Sequence, residues 1–275
     1  MPKLLCKIII ALLLIINISS CSVVGEYWYE RIDEYIAEQF LEYASFSESQ
    51  EILITKSAKD FKNWNLASQL PKYKEFILQF KLLDATTDIS HIEELYQNGI
   101  LLSNESRDFF IPYFIELCES LTNDQIKEIE MHLSYLTEEK KNSLKKEKKN
   151  YKEDLEQSFM RLFRLLGVKL NTKQKNIVHH YTDDMTDSRL ELIKKREIWD
   201  QKLVEIINSK NNMLLEQDLI RHINSIGSED ENTRVAINQI TAELIASLDQ
   251  KQRRRFRNRL DRFTRTIDGI LDSDE

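Results

Sequence analysis

Glycine and proline are scarce in this chain, and their scarcity constrains the fold more than any other feature of the sequence. Only 5 glycines and 3 prolines occur among 275 residues, whereas the two types together make up about 12% of an average protein. β-Sandwiches and barrels need many tight turns, which rely on these residues. The glycines never cluster, so Gly-rich phosphate-binding loops are excluded as well. The chain is therefore predicted to be all-α and elongated, with about ten helices.

The first residues have the pattern of an export signal. Lys3 and Lys7 precede an unbroken apolar run at 8–16, which is too short to span a bilayer and has the length of a signal-peptide core. The next segment, Ile18-Ser19-Ser20-Cys21, resembles the lipobox of bacterial lipoproteins. The resemblance implies that residues 1–20 are removed and that Cys21 carries acyl chains such as palmitate. The alternatives are an ordinary secretory signal with an incidental cysteine, or a retained helical anchor.

The residue after the cysteine bears on localisation. It is Ser22 rather than Asp, and the resemblance to sorted lipoproteins then implies export to the outer membrane. We expect a lipid anchor in that membrane, with the folded part facing the periplasm.

A helix-start motif recurs four times. An apolar residue is followed by Ser, Thr, Asn or Asp and, three positions later, by Gln, which is the pattern of a capping box. The motif residues are Ser47, Gln50, Thr122, Gln125, Asn171, Gln174, Asp249 and Gln252. Helix ends are predicted at Gly99, Gly167 and Gly227, and first helical turns at Pro71 and Pro112.

The spacing of the motifs indicates a duplication. The first and third boxes are 124 residues apart, and the second and fourth are 127 apart. Residues 116–121 also align with 243–248, with four of six positions identical. The alternative is that capping boxes recur by chance in a helical protein.

The duplication suggests two lobes joined by a charged helix. The predicted divisions are an acidic lobe at 21–122, a long central helix at 123–168 and a C-terminal lobe at 169–275. Residues 21–122 contain 8 Lys and Arg against 18 Asp and Glu. We favour a continuous central helix, with a break near Thr137 as the alternative.

A family resemblance adds to these patterns. The lipobox, the repeated boxes, Trp64 and Leu70-Pro71-Lys72-Tyr73 together resemble a proteobacterial outer-membrane lipoprotein family of unknown function. That family usually has His and Arg after the Trp, whereas Asn65 and Leu66 follow here. The Leu-Thr-x-x-Gln boxes are also locally similar to those of periplasmic chaperones of the Spy and CpxP type, which are much shorter.

No set of residues predicts catalysis. His179-His180 and Asp183-Asp184 place His and Asp four residues apart twice, but four-coordination of a metal needs more ligands, so we expect a solvated polar face. No acid–base pair and no nucleophile elbow is evident. Cys118 is predicted to be a buried small hydrophobe. We therefore expect no enzyme, cofactor, metal, nucleic acid or small-molecule substrate.

The last helix is predicted to carry a basic ridge opposite an apolar stripe. The ridge comprises Lys251, Arg253, Arg254, Arg255, Arg257 and Arg259, with Arg262 and Arg265 further along. Such a ridge suits anionic headgroups, an acidic protein or a polyanion; the alternative is a solvated ridge that is paired internally.

The expected role is binding or scaffolding of a protein partner in the cell envelope. The alternative is a periplasmic chaperone-like holdase with a concave apolar surface, as the local resemblance implies. An envelope hydrolase is disfavoured by the missing catalytic residues.

Overall fold

The computed structural model describes residues 22–146, 150–209, 215–225 and 231–273. Within these ranges the chain is helical and contains no β-strand, so the all-α, elongated fold is confirmed. No helix in the same ranges is long and apolar enough to cross a membrane. Residues 1–20, Cys21 and Gly227 lie outside the described residues.

The helices follow one another with short connections. They are α1 (Ser22–Glu30), α2 (Ile32–Leu41), α3 (Glu48–Trp64), a π-helical turn (Asn65–Gln69), α4 (Leu70–Lys81), α5 (Ile89–Ser120), α6 (Asn123–Lys146), α7 (Tyr151–Leu165), α8 (Thr172–Asp183), α9 (Arg189–Asn208), α10 (Leu215–Asn224), α11 (Glu231–Ala246) and α12 (Gln250–Asp272).

Two buried apolar clusters form the interior, and each draws on both halves of the chain. The first core joins α1, α4 and the start of α5 to α7, α8, α11 and α12. The second core joins α3, the end of α5 and α6 to α9 and α10. The cores therefore do not follow the predicted division of the chain at 122 and 169. Both α2 and α5 contribute to the two cores, and the longer of them, α5, has 32 residues that extend about 48 Å at 1.5 Å per residue.

The predicted continuous central helix is wrong. α6 ends at Lys146, and Asn150 has extended backbone (φ −71°, ψ 163°) before α7 begins at Tyr151. The Asn150 side chain accepts a hydrogen bond from the backbone N–H of Glu153 at 2.8 Å, so it caps a new helix. The two helices then separate in their packing: α6 lies against α9, and α7 against α8. The helical spacing of apolar residues does not predict this break. Asn150 indicates it instead, because Asn caps a helix more readily than it continues one.

Gly167 and Pro71 lie where the sequence predicts. Gly167 has φ +80°, and the next residue, Val168, donates its backbone N–H to Phe163 O at 2.7 Å, which closes α7 with a Schellman motif. Pro71 lies in the first turn of α4.

The predictions for Gly99 and Pro112 are wrong, because both residues lie inside α5. A Cβ at position 99 would be 3.3 Å from Phe76 Cζ, so glycine there lets α4 approach α5 closely. Pro112 has no N–H for the helical bond, a loss that usually ends or bends a helix. Tertiary packing of α5 against both cores overrides this local preference.

Candidate interaction surface

In each capping box, the glutamine side chain binds the backbone at the start of its own helix. The backbone N–H groups of Ser47, Thr122, Asn171 and Asp249 donate to the Oε1 of the glutamine three residues on, at 2.8–3.1 Å. In the last three boxes the cap side chain also accepts from the glutamine N–H, at 2.8–3.2 Å. In the first box, Ser47 Oγ lies 3.1 Å from Ser49 Oγ.

The first two boxes are joined through their glutamine amides. Gln50 Nε2 donates to Gln125 Oε1 at 3.1 Å, and Gln125 Nε2 donates back to Gln50 Oε1 at 2.7 Å. Gln50 also reaches the carbonyl and hydroxyl of Ser120, and Gln125 reaches Ser45 O. Both amides are buried, so this pair fixes the starts of α3 and α6 against the end of α5.

The last two boxes repeat the same arrangement. Gln174 and Gln252 exchange amide hydrogen bonds of 3.0 and 2.9 Å. Gln174 also reaches the carbonyl and hydroxyl of Ser247, and Gln252 reaches Lys169 O. Every partner corresponds to one in the first pair at an offset of 124 or 127 residues, so the structure supports the predicted duplication. The spacing of the boxes in the sequence predicts the duplication, but it does not predict that the two glutamine amides of each pair bind each other.

The first glutamine pair lies among acidic side chains, which we call the acidic end. It comprises Glu48, Glu51, Asp124 and Glu128, all exposed except the half-buried Glu128. Glu128 accepts from the backbone N–H of Ser45 at 2.5 Å. One cation also lies there: Lys127 Nζ is 3.1 Å from Asp124 Oδ1.

The second glutamine pair lies among cationic side chains, which we call the basic end. It comprises Lys169, Lys173, Lys251, Arg254 and Arg255, all exposed. None of the five makes a side-chain hydrogen bond or ion pair with a residue in the described ranges. The fold thus brings part of the predicted ridge together with two lysines of the segment that starts α8.

Two ridge residues, Arg253 and Arg259, turn away from this surface. Arg253 donates to the Leu248 and Leu83 carbonyls at 3.0 and 3.5 Å, and Arg259 donates to Leu165 O at 2.8 Å. Burial lowers the pKa of the Arg259 guanidinium, and the positive charge of Arg262 adds to this effect. Hydrogen bonds from Thr86 lower the pKa of the Asp84 carboxyl, and the positive charges of Arg253 and Arg257 add to this effect.

The opposite face of α12 is firmly packed. Phe256, Leu260, Phe263 and Ile267 are each at most 2% exposed. Two ion pairs of 2.5 Å, Lys81–Asp261 and Lys74–Asp268, hold its flank to α4. The basic end is therefore displayed on a helix whose position is set by the first core.

The two ends lie at opposite ends of α5. Ser120, the last residue of α5, belongs to the first glutamine pair. Asn238 donates to Glu93 at 2.7 Å while Arg234 lies over the Tyr96 ring, so α11 runs antiparallel to α5 and points past its start. The basic end follows α11, and the separation is roughly the length of α5, about 48 Å.

One histidine of the predicted polar face, His179, contacts a carboxylate, whereas His180 is exposed and packs edge-on against Tyr181. His179 Nδ1 lies 2.8 Å from Glu156, whose hydrogen bond raises the pKa of His179. Asp183 pairs with Lys152 at 2.8 Å, which lowers the pKa of Asp183. Among the described residues, no group of three or more His, Cys, Asp or Glu is placed to hold a metal ion.

Cys118 is buried in the second core, as predicted, with 1% of its surface exposed. Burial raises the pKa of its thiol to about 12, so the thiolate that would act as a nucleophile is scarce at neutral pH.

The residues that carry the family resemblance pack in the middle of the molecule. Trp64 stacks on Phe109 with ring centroids 4.8 Å apart, and the Tyr73 hydroxyl lies 3.1 Å from Ser106 Oγ. Asn65, where the resembled family has His, is buried and accepts from the Tyr29 hydroxyl at 3.0 Å. These contacts give the motif a structural role.

The chain matches the model of a protein family. The model of DUF6279, described as a family of unknown function, matches residues 42–232. No curated protein and no solved structure is similar to the chain at a significant level.

Proposed function

Since the chain belongs to DUF6279, a family of unknown function, we propose a function from its own residues: a lipid-anchored envelope protein that binds and positions a protein partner through its basic end. The observation that carries this proposal is the set of exposed cations, Lys251, Arg254 and Arg255, on a helix whose other face is buried. Arg and Lys side chains recognise carboxylates by charge-assisted hydrogen bonds. We propose binding rather than catalysis, since the Cys118 thiol is buried and His179 is paired with Glu156.

The anchor is proposed from residues 1–21. Each acyl CH₂ contributes about 0.8 kcal/mol to membrane binding, so several chains on Cys21 make a durable anchor. We expect the wild-type chain to stay with the outer membrane after a high-salt wash, and Cys21→Ala to be released. A Cys21→Ala chain that still fractionates with washed membranes would exclude lipid on this residue as the anchor.

The fixed position of α12 supports binding at the basic end. Its buried face leaves only the long side chains to be ordered when a partner binds, which limits the entropic cost. The first turn of α12 contains no acidic residue, and the carboxylate of the N-cap Asp249 accepts from the Gln252 backbone N–H. A partner with an acidic surface would supply the missing charge.

Photo-crosslinking in the intact envelope tests the binding proposal. A photoreactive amino acid at Arg254 is expected to capture a defined partner, and the capture should fall at least tenfold when Lys173, Lys251 and Arg255 are changed to Glu. A matched control changes Lys59, Lys140 and Lys194 to Glu, since these are exposed and make no ion pair with a described residue. Equal capture in both variants would show that the basic end does not bind the partner.

The holdase alternative has weaker support. Exposed large apolar side chains lie on many different helices, with Met131 and Tyr135 sharing a groove of about 520 Å³ beside Tyr43. A holdase should suppress aggregation of an unfolded client, and Met131→Ser with Tyr135→Ser should reduce that effect.

A further inference from the structure

The two ends of the molecule have one framework and opposite charge. At the offsets of the duplication, Glu51 corresponds to Lys175, Asp124 to Lys251 and Glu128 to Arg255. The hydrogen-bonded glutamine pairs beneath them are the same. The opposition is not complete: Lys127 corresponds to Arg254 and is paired with Asp124, and Asp249 corresponds to Thr122. The two halves thus share a structural frame and differ in the charge that they present.

The electrostatics of a helix start do not explain why lysines lie at the basic end. The start of a helix carries a partial positive charge, which favours acids and disfavours bases. Glu48, Glu51 and Asp124 obey this preference in the first turns of α3 and α6. Lys173 and Lys251 oppose it, because they lie in the first turns of α8 and α12; α12 also has one acid at its start, the N-cap Asp249. These cations therefore do not stabilise the starts of their own helices, and an acidic surface placed against them would offset the unfavourable charge.

The ends cannot neutralise each other within one chain, because they lie about the length of α5 apart. Two copies placed head to tail bring them together, whereas like ends repel. We propose that the basic end binds the acidic end of a second copy of this chain. This inference rests on the proposed function, in which the basic end is the binding surface, and it names the partner.

The interface is heterologous, because it joins two different surfaces of the same protein. Such contacts leave one free end of each kind, so they extend into an open chain of copies unless the rotation closes a ring. Lys251, Arg254 and Arg255 of one copy face Glu48, Glu51 and Asp124 of the next. The contact is polar and exposed at its rim, and therefore weakens when salt screens it.

Sedimentation velocity of the full chain in a neutral, non-ionic detergent tests the proposal. At about 0.1 M salt the sedimentation coefficient is expected to rise with protein concentration. At about 1 M salt, where the screening length falls from about 10 Å to about 3 Å, association should weaken at least tenfold. A chain that stays monomeric at low salt overturns the proposal.

Charge reversal identifies the surfaces. Lys251→Glu, Arg254→Glu and Arg255→Glu together should abolish association, and so should Glu48→Lys, Glu51→Lys and Asp124→Lys together. An equimolar mixture of the two variants should associate again, because each retains one intact end; this recovery also shows that both have folded. Association that survives either reversal, or a mixture that stays monomeric, overturns the head-to-tail geometry.

Two outcomes separate this inference from the proposed function. If the photoreactive group at Arg254 captures a different protein and the chain itself is monomeric, the binding function stands and self-association is overturned. If a monomeric chain is retained on heparin and the basic-end reversal abolishes retention, the basic end is assigned to a polyanion, and both the protein partner and the second copy are overturned.

Discussion

At the scale of single residues, the four motif glutamines use all of their hydrogen-bonding capacity. A glutamine amide offers two donors and an acceptor oxygen with two lone pairs. Gln252, for example, accepts from Asp249 N and Gln174 Nε2 and donates to Lys169 O and Gln174 Oε1. Burial of these amides is tolerated because no polar atom is left without a partner.

Replacing one of these glutamines should be costly. Gln252→Leu is expected to lower the free energy of unfolding by about 2–4 kcal/mol, because the Lys169 carbonyl and the Gln174 amide lose partners in a buried site. Chemical denaturation measures the loss. Gln250→Leu, at the exposed start of the same helix, should change stability by less than about 0.5 kcal/mol.

The two glutamines of a pair should also couple. Because Gln174 and Gln252 share two hydrogen bonds, the double Leu variant should lose less stability than the sum of the single variants. Strict additivity would contradict the paired geometry.

Gly167 is the residue whose backbone conformation most restricts substitution. Its φ of +80° is unfavourable for other residues, and a Cβ would lie 3.1 Å from Arg255 O. Gly167→Ala is expected to lower the free energy of unfolding by about 1–2 kcal/mol. Gly167→Asn should lose less, because Asn tolerates the left-handed region, and denaturation curves of the two variants distinguish backbone strain from Cβ contact.

At the scale of helices, the break at Asn150 depends on a cap. Asn150→Ala removes the bond to the Glu153 N–H and should lower the free energy of unfolding by about 1 kcal/mol. Asn150→Asp should retain most of the stability, because Asp caps equally well. An equal loss of unfolding free energy in the two variants would show that the cap at Asn150 does not account for the stability.

The pairing of α7 with α8 should depend on pH through His179. Glu156 raises the pKa of His179 in the folded chain, so the pair's contribution is present below the unfolded pKa of about 6.5 and is lost as pH rises through the folded value. NMR titration should find the His179 pKa above about 6.5 and lower in Glu156→Gln. Asp183→Asn is the control and should have a smaller effect, since Asp183 acts only by charge from a distance.

At the scale of the whole molecule, α5 links the two cores. Leu219 in the second core and Leu244 in the first are fully buried, so each change to Ala should cost about 2–5 kcal/mol. Because α5 contributes to both cores, we expect each variant to move one shared unfolding transition. Single-Trp chains that retain Trp28 or Trp199 report on the first and second cores, and separate midpoints would contradict cooperative unfolding.

The sequence by itself determined the helical class, the four capping boxes and the offsets of the duplication. A capping box is local, because residues within a few positions of one another form it, and the offsets are found by comparing such local motifs along the chain. The burial of Cys118 and the end of α7 at Gly167 followed from the same local patterns.

Only the tertiary structure decided which helices share a core and where each basic residue points. Gly99 and Pro112 lie inside α5 because packing against α4 and both cores outweighs local preference. Arg253 and Arg259 turn toward backbone carbonyls while Arg254 stays exposed, which a helical pattern does not distinguish. The opposition of an acidic and a basic end arises because contacts between residues far apart in the chain bring the four capping boxes together in pairs, at the two ends of one helix.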